Sequence, residues 1–228
     1  MRALIELAMS THLPAEALQL IEYVQAAGIL VTEDQSVSLL RLLDELVRWN
    51  AAYNLTAITQ RDEMITHHLL DSLSVNDDLH GETVADVGTG AGFPGLPLAL
   101  VNPQRKFTLI DSNNKKVRFV AHAARTLGLA NVEAVHGRAE APRAGKPFDT
   151  VVARAFAALP ELLKKVEPLC GPQTRVLAMK GKRPDDEIAG VPASWRVIEV
   201  RALAVPGLNE ERHLAILQRA GAAPASAA

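Results

Sequence analysis

Thr83-Val84-Ala85-Asp86-Val87-Gly88-Thr89-Gly90-Ala91-Gly92-Phe93-Pro94-Gly95-Leu96-Pro97-Leu98-Ala99-Leu100 is the segment on which the fold turns. It opens as a short β-like run, passes through closely spaced glycines and continues as a helix from Pro97. Glycines are required where a chain reverses sharply and a ligand lies against the backbone, because a Cβ would block the approach. The helix N-terminus beyond offers free N–H groups and a partial positive charge, suited to an anionic or polar ligand.

Working outward, β-like runs at 83–87, 106–110, 131–135, 149–153 and 175–179 alternate with helical stretches such as 115–127 and 160–169. That alternation means βαβ units and a parallel sheet with helices on both faces. Two further runs, 195–200 and 213–217, have no long helix between them and predict a closing antiparallel hairpin. Upstream, the first 80 residues read as helices. Leu39, Leu40, Leu43, Leu46 and Val47 recur at helical spacing. Thr32 and Gln35 form a capping-box pattern that places a helix start near Glu33. Pro14 suits the first position of an earlier helix ending at Gly28, and a third helix is expected over 61–79 with Thr59 or a neighbour as its cap. The Asn and Thr residues of Trp49–Thr56 suit a structured connection. The expected organisation is an N-terminal helical extension (1–80), a Rossmann-like core (81–220) and a disordered Ala/Pro/Ser tail (221–228).

Bulk properties narrow the class. The 228 residues are 48% hydrophobic, ample for one large core. Apolar stretches are too short to span a bilayer, and Glu6 interrupts the N-terminal one, so neither a membrane span nor a secretory signal is expected. One cysteine, Cys170, leaves no internal disulfide and no Cys-rich metal site. A cytoplasmic monomer is the expectation. The net charge of -2 conceals an asymmetry: residues 1–104 carry 4 basic and 14 acidic side chains, whereas 105–183 carry 16 basic and 6 acidic. Such a central segment either presents a basic face to a polyanion or scatters its charges over solvated helices.

Read alone, the glycine turn fits two cofactor classes. Gly90-Ala91-Gly92-Phe93-Pro94-Gly95 matches the dinucleotide fingerprint G-x-G-x-x-G, and Asp111, ending the next run, would grip ribose hydroxyls in either class. Three features favour a methyl donor, S-adenosyl-L-methionine. Asp86 completes a D-x-G-x-G-x-G pattern typical of class I methyltransferases, Pro94 and Pro97 are unusual for a pyrophosphate-binding helix, and the unit follows a helical segment instead of opening the chain. The candidate cofactor residues are Gly88, Thr89, Gly90, Phe93 and Asp111.

Beyond the turn, further motifs accumulate in order. Trp49-Asn50 with Asn54-Leu55-Thr56, His68-Leu69-Leu70-Asp71-Ser72, Leu109-Ile110-Asp111-Ser112, Lys116-Val117-Arg118-Phe119, Arg154-Ala155-Phe156-Ala157, Lys180-Gly181 and Glu211-Arg212-His213 span roughly residues 45 to 217. Together with Asp86–Pro97 they resemble the RsmG (GidB) family, bacterial guanine-N7 methyltransferases of small-subunit ribosomal RNA. The resemblance implies a class I S-adenosylmethionine-dependent fold: a mostly parallel seven-stranded sheet with a terminal antiparallel strand. It implies methylation at N7 of guanine 527 in 16S rRNA, with the small ribosomal subunit as partner. It also implies that Gly88, Phe93, Ala139, Glu140 and Arg154 border the cofactor. Phe93 replaces a leucine found in other members, changing only an apolar wall.

The residues permit that chemistry. Guanine N7 carries an in-plane lone pair and no proton, so attack on a sulfonium methyl needs alignment and no general base. Ala153-Arg154-Ala155-Phe156 lacks the Asn/Asp-Pro-Pro-aromatic motif of exocyclic-amine methyltransferases. Cys170, the one candidate nucleophile for pyrimidine-carbon methylation, reads as a core residue. Arg154 and Lys180 fall at the carboxyl ends of parallel strands, where ligands bind in such sheets, and are assigned to orienting the nucleotide. An ion pair of Arg154 with Asp71 or Glu140 is compatible with that role. Lys115, Lys116, Arg118, Arg125, Arg138, Arg143 and Lys146 form the candidate RNA-backbone group, with Lys115, Arg118 and Arg138 foremost. No metal site is expected, because adjacent His67 and His68 point about 100° apart on a helix. A packing role is read for His68. Asn50 and Asn54 are loop-satisfying amides in preference to base readers, and His213 with Arg212 is left open.

Overall fold

The computed structural model describes residues 15–26, 28–141 and 145–221. The expectations for Pro14, the N-terminal segment, Arg143 and the tail beyond Gly221 fall outside the described residues. Helix α1 (Ala15–Ala26) and helix α2 (Glu33–Tyr53) come first. The α2 start is the expected capping box: Thr32 Oγ1 accepts the Gln35 N–H at 3.2 Å, and Gln35 Oε1 accepts the Thr32 N–H at 2.9 Å. Helix α3 covers 61–73, with π-helical geometry over Ile65–Leu70 between short α-helical ends. It is shorter than the expected 61–79. Ser74 Oγ turns back onto the Asp71 carbonyl at 2.7 Å, and a separate 3₁₀ turn, Asn76–Asp78, follows. Its N-cap is Gln60, which makes no side-chain capping bond.

From Thr83 the chain alternates as expected: β1 (Thr83–Val87), α4 (Gly95–Val101), β2 (Lys106–Asp111), α5 (Asn114–Thr126), β3 (Val132–His136), β4 (Phe148–Arg154), α6 (Leu159–Val166), β5 (Cys170–Lys180), α7 (Asp185–Ile188), β6 (Trp195–Ala202) and β7 (His213–Arg219). The sheet order is β3-β2-β1-β4-β5-β7-β6. Strands β1 to β5 pair in parallel, and β7 runs antiparallel to both β5 and β6. The reversed strand is therefore last in the chain but internal in the sheet, and β6 takes the edge.

Strand alternation builds two cores. Val84, Leu109, Val152, Leu177, Leu214 and Ile216 face one side with α1 to α5, whereas Ala85, Ile110, Val151, Val176, Ala215 and Leu217 face the other with α6. Successive side chains of a strand leave opposite faces, so apolar runs of four or five residues feed both layers at once. The helices ahead of β1 share the first core with the sheet: Leu39, Leu43 and Leu46 are fully buried. Trp49 adds an edge contact to Phe119 of α5, ring centroids 5.7 Å apart. Register then sets one functional edge. Asp111 pairs with His136, Arg154 with Met179, and Lys180 with His213, so the ends of β2 to β5 and the start of β7 lie along one line.

Candidate active site

The turn after β1 is held open by its own hydrogen bonds. Asp86 is fully buried, and its Oδ2 accepts the Thr89 hydroxyl at 2.6 Å and the Gly95 N–H at 2.8 Å. Burial pushes its carboxyl up to about 6, against the opposing hydrogen bonds from Thr89 and Gly95. Gly88, Gly90 and Gly92 all adopt left-handed φ, at 69°, 60° and 86°. A Cβ on Gly88 would overlap the Phe156 ring, whereas one on Gly90 would meet nothing nearer than Lys116 Nζ at 3.9 Å. The Gly90 N–H donates to Asp111 Oδ2 at 2.9 Å and the Asn113 N–H to Asp111 Oδ1 at 2.7 Å, fixing that carboxylate at the end of β2.

A cavity of about 260 Å³ opens beside this turn, lined by Gly88, Asp111, Ala139 and Glu140 of the expected set. Arg138 stands at its wall with Phe156 and Lys165, whose ammonium lies 5.1 Å from the Phe156 ring centroid. Four expected cofactor residues sit elsewhere: Arg154 lines a second, neighbouring cavity. Thr89 is buried under the turn with its hydroxyl on Asp86, and Gly90 acts through its N–H on Asp111. Phe93 lines neither this cavity nor the next. It is 4% exposed and stacks on His68 at 4.6 Å between ring centroids, with the Arg154 guanidinium 5.9 Å from its ring.

The second cavity, about 420 Å³, is where Arg154 and Lys180 stand. Its wall combines His67, His68 and Asp71 of α3 with His213, which starts β7, and Arg212 just before it. Arg154 Nη1 donates to Asp71 Oδ2 at 2.8 Å and to the His67 carbonyl at 2.7 Å, while Arg212 Nε donates to Asp71 Oδ1 at 3.2 Å. Lys180 Nζ is tied to the Ala157 carbonyl and to Glu187 Oε2, each at 2.7 Å. Ala155 lines both cavities, and its φ of 49° is an uncommon backbone state for a residue with a Cβ. Sequence reasoning gave no site role to Arg212, Phe156 or Lys165, since nothing in their local spacing marks a cavity. Asp71 is legible there as a motif residue and as a partner for Arg154.

The remaining expectations separate cleanly. His68 Nε2 lies 3.1 Å from Thr56 Oγ1, and burial, with Arg154 nearby, pulls its imidazole down to about 4, so it is neutral at pH 7. Asn50 Oδ1 accepts the Thr56 N–H at 2.9 Å and Asn54 ends α2 at φ 50°, so the Asn50 amide and the Asn54 backbone shape the connection. Burial pushes the Cys170 thiol up to about 12, far from nucleophilic use at neutral pH. Lys115 and Arg118 are exposed on the first turns of α5. Among the described residues no group of three or more His, Cys, Asp or Glu could hold a metal ion, and no helix is long and apolar enough to cross a membrane.

Known proteins resemble this chain in both architecture and sequence. The chain superposes on the crystal structure of TrmN from Thermus thermophilus with a TM-score of 0.55 at 21% identity, covering 75% of this chain and 52% of that one. A crystal structure described as a SAM dependent methyltransferase from Aquifex aeolicus gives 0.54 at 20% identity, covering 72% and 97%. At such identities the likeness concerns the fold. Sequence relatives are nearer. Ribosomal RNA small subunit methyltransferase G of Pseudomonas aeruginosa is 47% identical over 193 residues, 84% of this chain and 90% of that protein. The protein of the same name from Nitrosococcus oceani is 46% identical, covering 85% and 92%. Residues 35–215 match the family described as GidB, rRNA small subunit methyltransferase G, and the chain belongs to that family.

Proposed function

We propose that the protein transfers a methyl group from S-adenosylmethionine to N7 of guanine 527 in the 16S rRNA of the small ribosomal subunit. The observation that carries this reading is the meeting of two cavities at Ala155, on the carboxyl edge of the parallel strands. The donor fits the first cavity. An ionised carboxylate has about four lone-pair sites. Two on Asp111 are taken by backbone N–H groups, which leaves others for ribose hydroxyls. Left-handed Gly88 removes the side chain that would stand against the ligand, and Ala139 and Ile110 supply apolar wall. When bound, the cofactor supplies an electrophilic methyl on a sulfonium.

The chain's own task is then alignment. N7 attacks through a lone pair, so nothing has to remove a proton, and oriented reactants recover roughly 7–11 kcal/mol in favourable cases. Arg154 and Arg212 present guanidinium groups to the second cavity, where they can donate to the O6 and phosphate oxygens of the acceptor nucleotide. Lys180 keeps the segment after β4 in place through the Ala157 carbonyl. Lys115, Arg118 and Arg138 serve the RNA backbone, and the enzyme acts as a cytoplasmic monomer.

The test incubates the protein with labelled S-adenosylmethionine and small subunits lacking the mark, then maps induced cleavage at N7-methylguanine. Label at guanine 527 is expected. Label at another base, or in protein, overturns the reading.

A further inference from the structure

We infer that Asp71 is a positioning residue of the acceptor cavity, its one buried carboxylate holding Arg154 and Arg212 on separate oxygens. The inference rests on the functional reading above, in which the second cavity receives the nucleotide. Asp71 is 2% exposed, and its two arginines arrive from the end of β4 and the lead into β7, 83 and 141 residues along the chain. No local segment could fix their separation; a shared carboxylate does. Each arginine has a second anchor, the His67 carbonyl for Arg154 and the Glu211 carbonyl at 2.8 Å for Arg212. A guanidinium carries five N–H donors. The contacts described use two on each, and both groups line the cavity.

The backbone of α3 explains why Asp71 can reach them. The Asp71 N–H bonds to the Thr66 carbonyl, five residues back, at the close of the π segment Ile65–Leu70. One extra residue in a helical turn rotates everything after it by about 100°, and such segments occur often at functional sites. Without it Asp71 would be turned by about 100° from the direction in which it meets the two arginines. Electrostatics points the same way. Two guanidinium groups and one carboxylate leave a local charge of +1, attractive to a phosphate yet free of the repulsion between bare arginines. Nothing in this arrangement requires Asp71 to touch the nucleotide, because it acts through the arginines.

The test compares wild type, Asp71→Asn, Arg212→Gln and the double variant, using labelled S-adenosylmethionine and unmodified small subunits. Asp71→Asn keeps the shape and loses the charge that bridges the arginines. Turnover should fall about 100-fold, the scale of a reacting group misplaced by an ångström, with KM for subunits changed less than about threefold. Affinity for S-adenosylhomocysteine, measured by calorimetry, should stay within about twofold, since Asp71 lies outside the first cavity. Arg212→Gln should cost about tenfold in turnover, the scale of one charged hydrogen bond, and add little to Asp71→Asn. Wild-type turnover in Asp71→Asn overturns the inference. So does a fully multiplicative double variant, or a loss of cofactor affinity parallel to the loss of turnover, which would mark Asp71 as a plain structural staple. Should Asp71→Asn not fold, Arg212→Lys carries the test: it keeps the charge and loses the fork, and unchanged turnover overturns the inference. Absence of label at guanine N7 with wild-type protein instead refutes the functional reading.

Discussion

The two cavities lie side by side along one sheet edge, yet they are assembled in different ways. The first draws on chain stretches that end four neighbouring parallel strands, and its central turn is a single run of eight residues, 88–95, braced by Asp86 and Asp111. The second gathers Asp71, Arg154 and Arg212 from a helix, a strand end and the lead into β7, which no local pattern connects. A site written into a contiguous turn tolerates change in distant elements and fails on a single Cβ. A site held by long-range ion pairs tolerates local sequence change and fails when one shared partner loses its charge.

The sharpest break in that contrast comes at Gly88. Gly88→Val combines left-handed strain of roughly 1–2 kcal/mol with overlap on the Phe156 ring. S-adenosylhomocysteine binding by calorimetry should fall by more than about 100-fold. Gly90→Ala carries the strain without the overlap, so a loss near tenfold is expected. Equal losses at the two positions would show that strain alone governs the turn.

Arg154→Met should do the converse, lowering turnover by about 100-fold while cofactor affinity holds within about twofold. A variant that loses both together would mean that the cavities are not separable.

Titration probes the seam between them. His68, buried between Phe93 and Thr56, has an imidazole lowered from 6.5 to about 4, so its contribution to stability is present above pH 6.5 and lost as pH falls towards 4. Asp86 has the opposite sign: raised from 3.8 to about 6, it contributes stability below pH 3.8 that is lost as pH rises through 6. Denaturant titrations of wild type and His68→Gln should differ by a wild-type loss on the order of 3 kcal/mol between pH 7 and 4. Superimposable pH profiles would show that His68 is not the neutral link.

Smaller effects lie on the surface and in the core. Lys115→Glu should weaken subunit binding a few-fold and reduce the log–log salt slope by about 0.7–0.9 for each phosphate no longer neutralised, leaving cofactor affinity unchanged. An unaltered slope would remove Lys115 from the RNA face. Cys170→Ala should leave turnover at the wild-type level, and iodoacetamide should label the native thiol slowly, because burial keeps it protonated.

Much of this was legible beforehand, for reasons tied to particular residues. Thr32 and Gln35 announce α2 because a capping box uses nearest-neighbour hydrogen bonds. Asp86, Gly88 and Asp111 announce the first cavity because a turn, a left-handed glycine and a strand-end carboxylate are local features. Phe93 is harder to place for the complementary reason: an apolar residue within a ligand-binding turn faces either ligand or core, and its stacking on His68 of α3 is visible only in the packing. The end of α3 falls short of the expected residue 79; a π segment and a separate 3₁₀ turn keep a helix-like pattern through residue 78.

The sequence by itself determined the order of strands and helices, the sheet class, the position of the glycine turn and the family, since each depends on periodicity or on neighbours a few residues apart. Tertiary structure alone decided that β7 inserts between β5 and β6, that Phe93 belongs to the core, and that Asp71 stands between Arg154 and Arg212. The physical reason is range. Local hydrogen bonding and alternation act over a few residues, whereas sheet insertion and a shared buried carboxylate are settled only when segments distant along the chain exclude water between them.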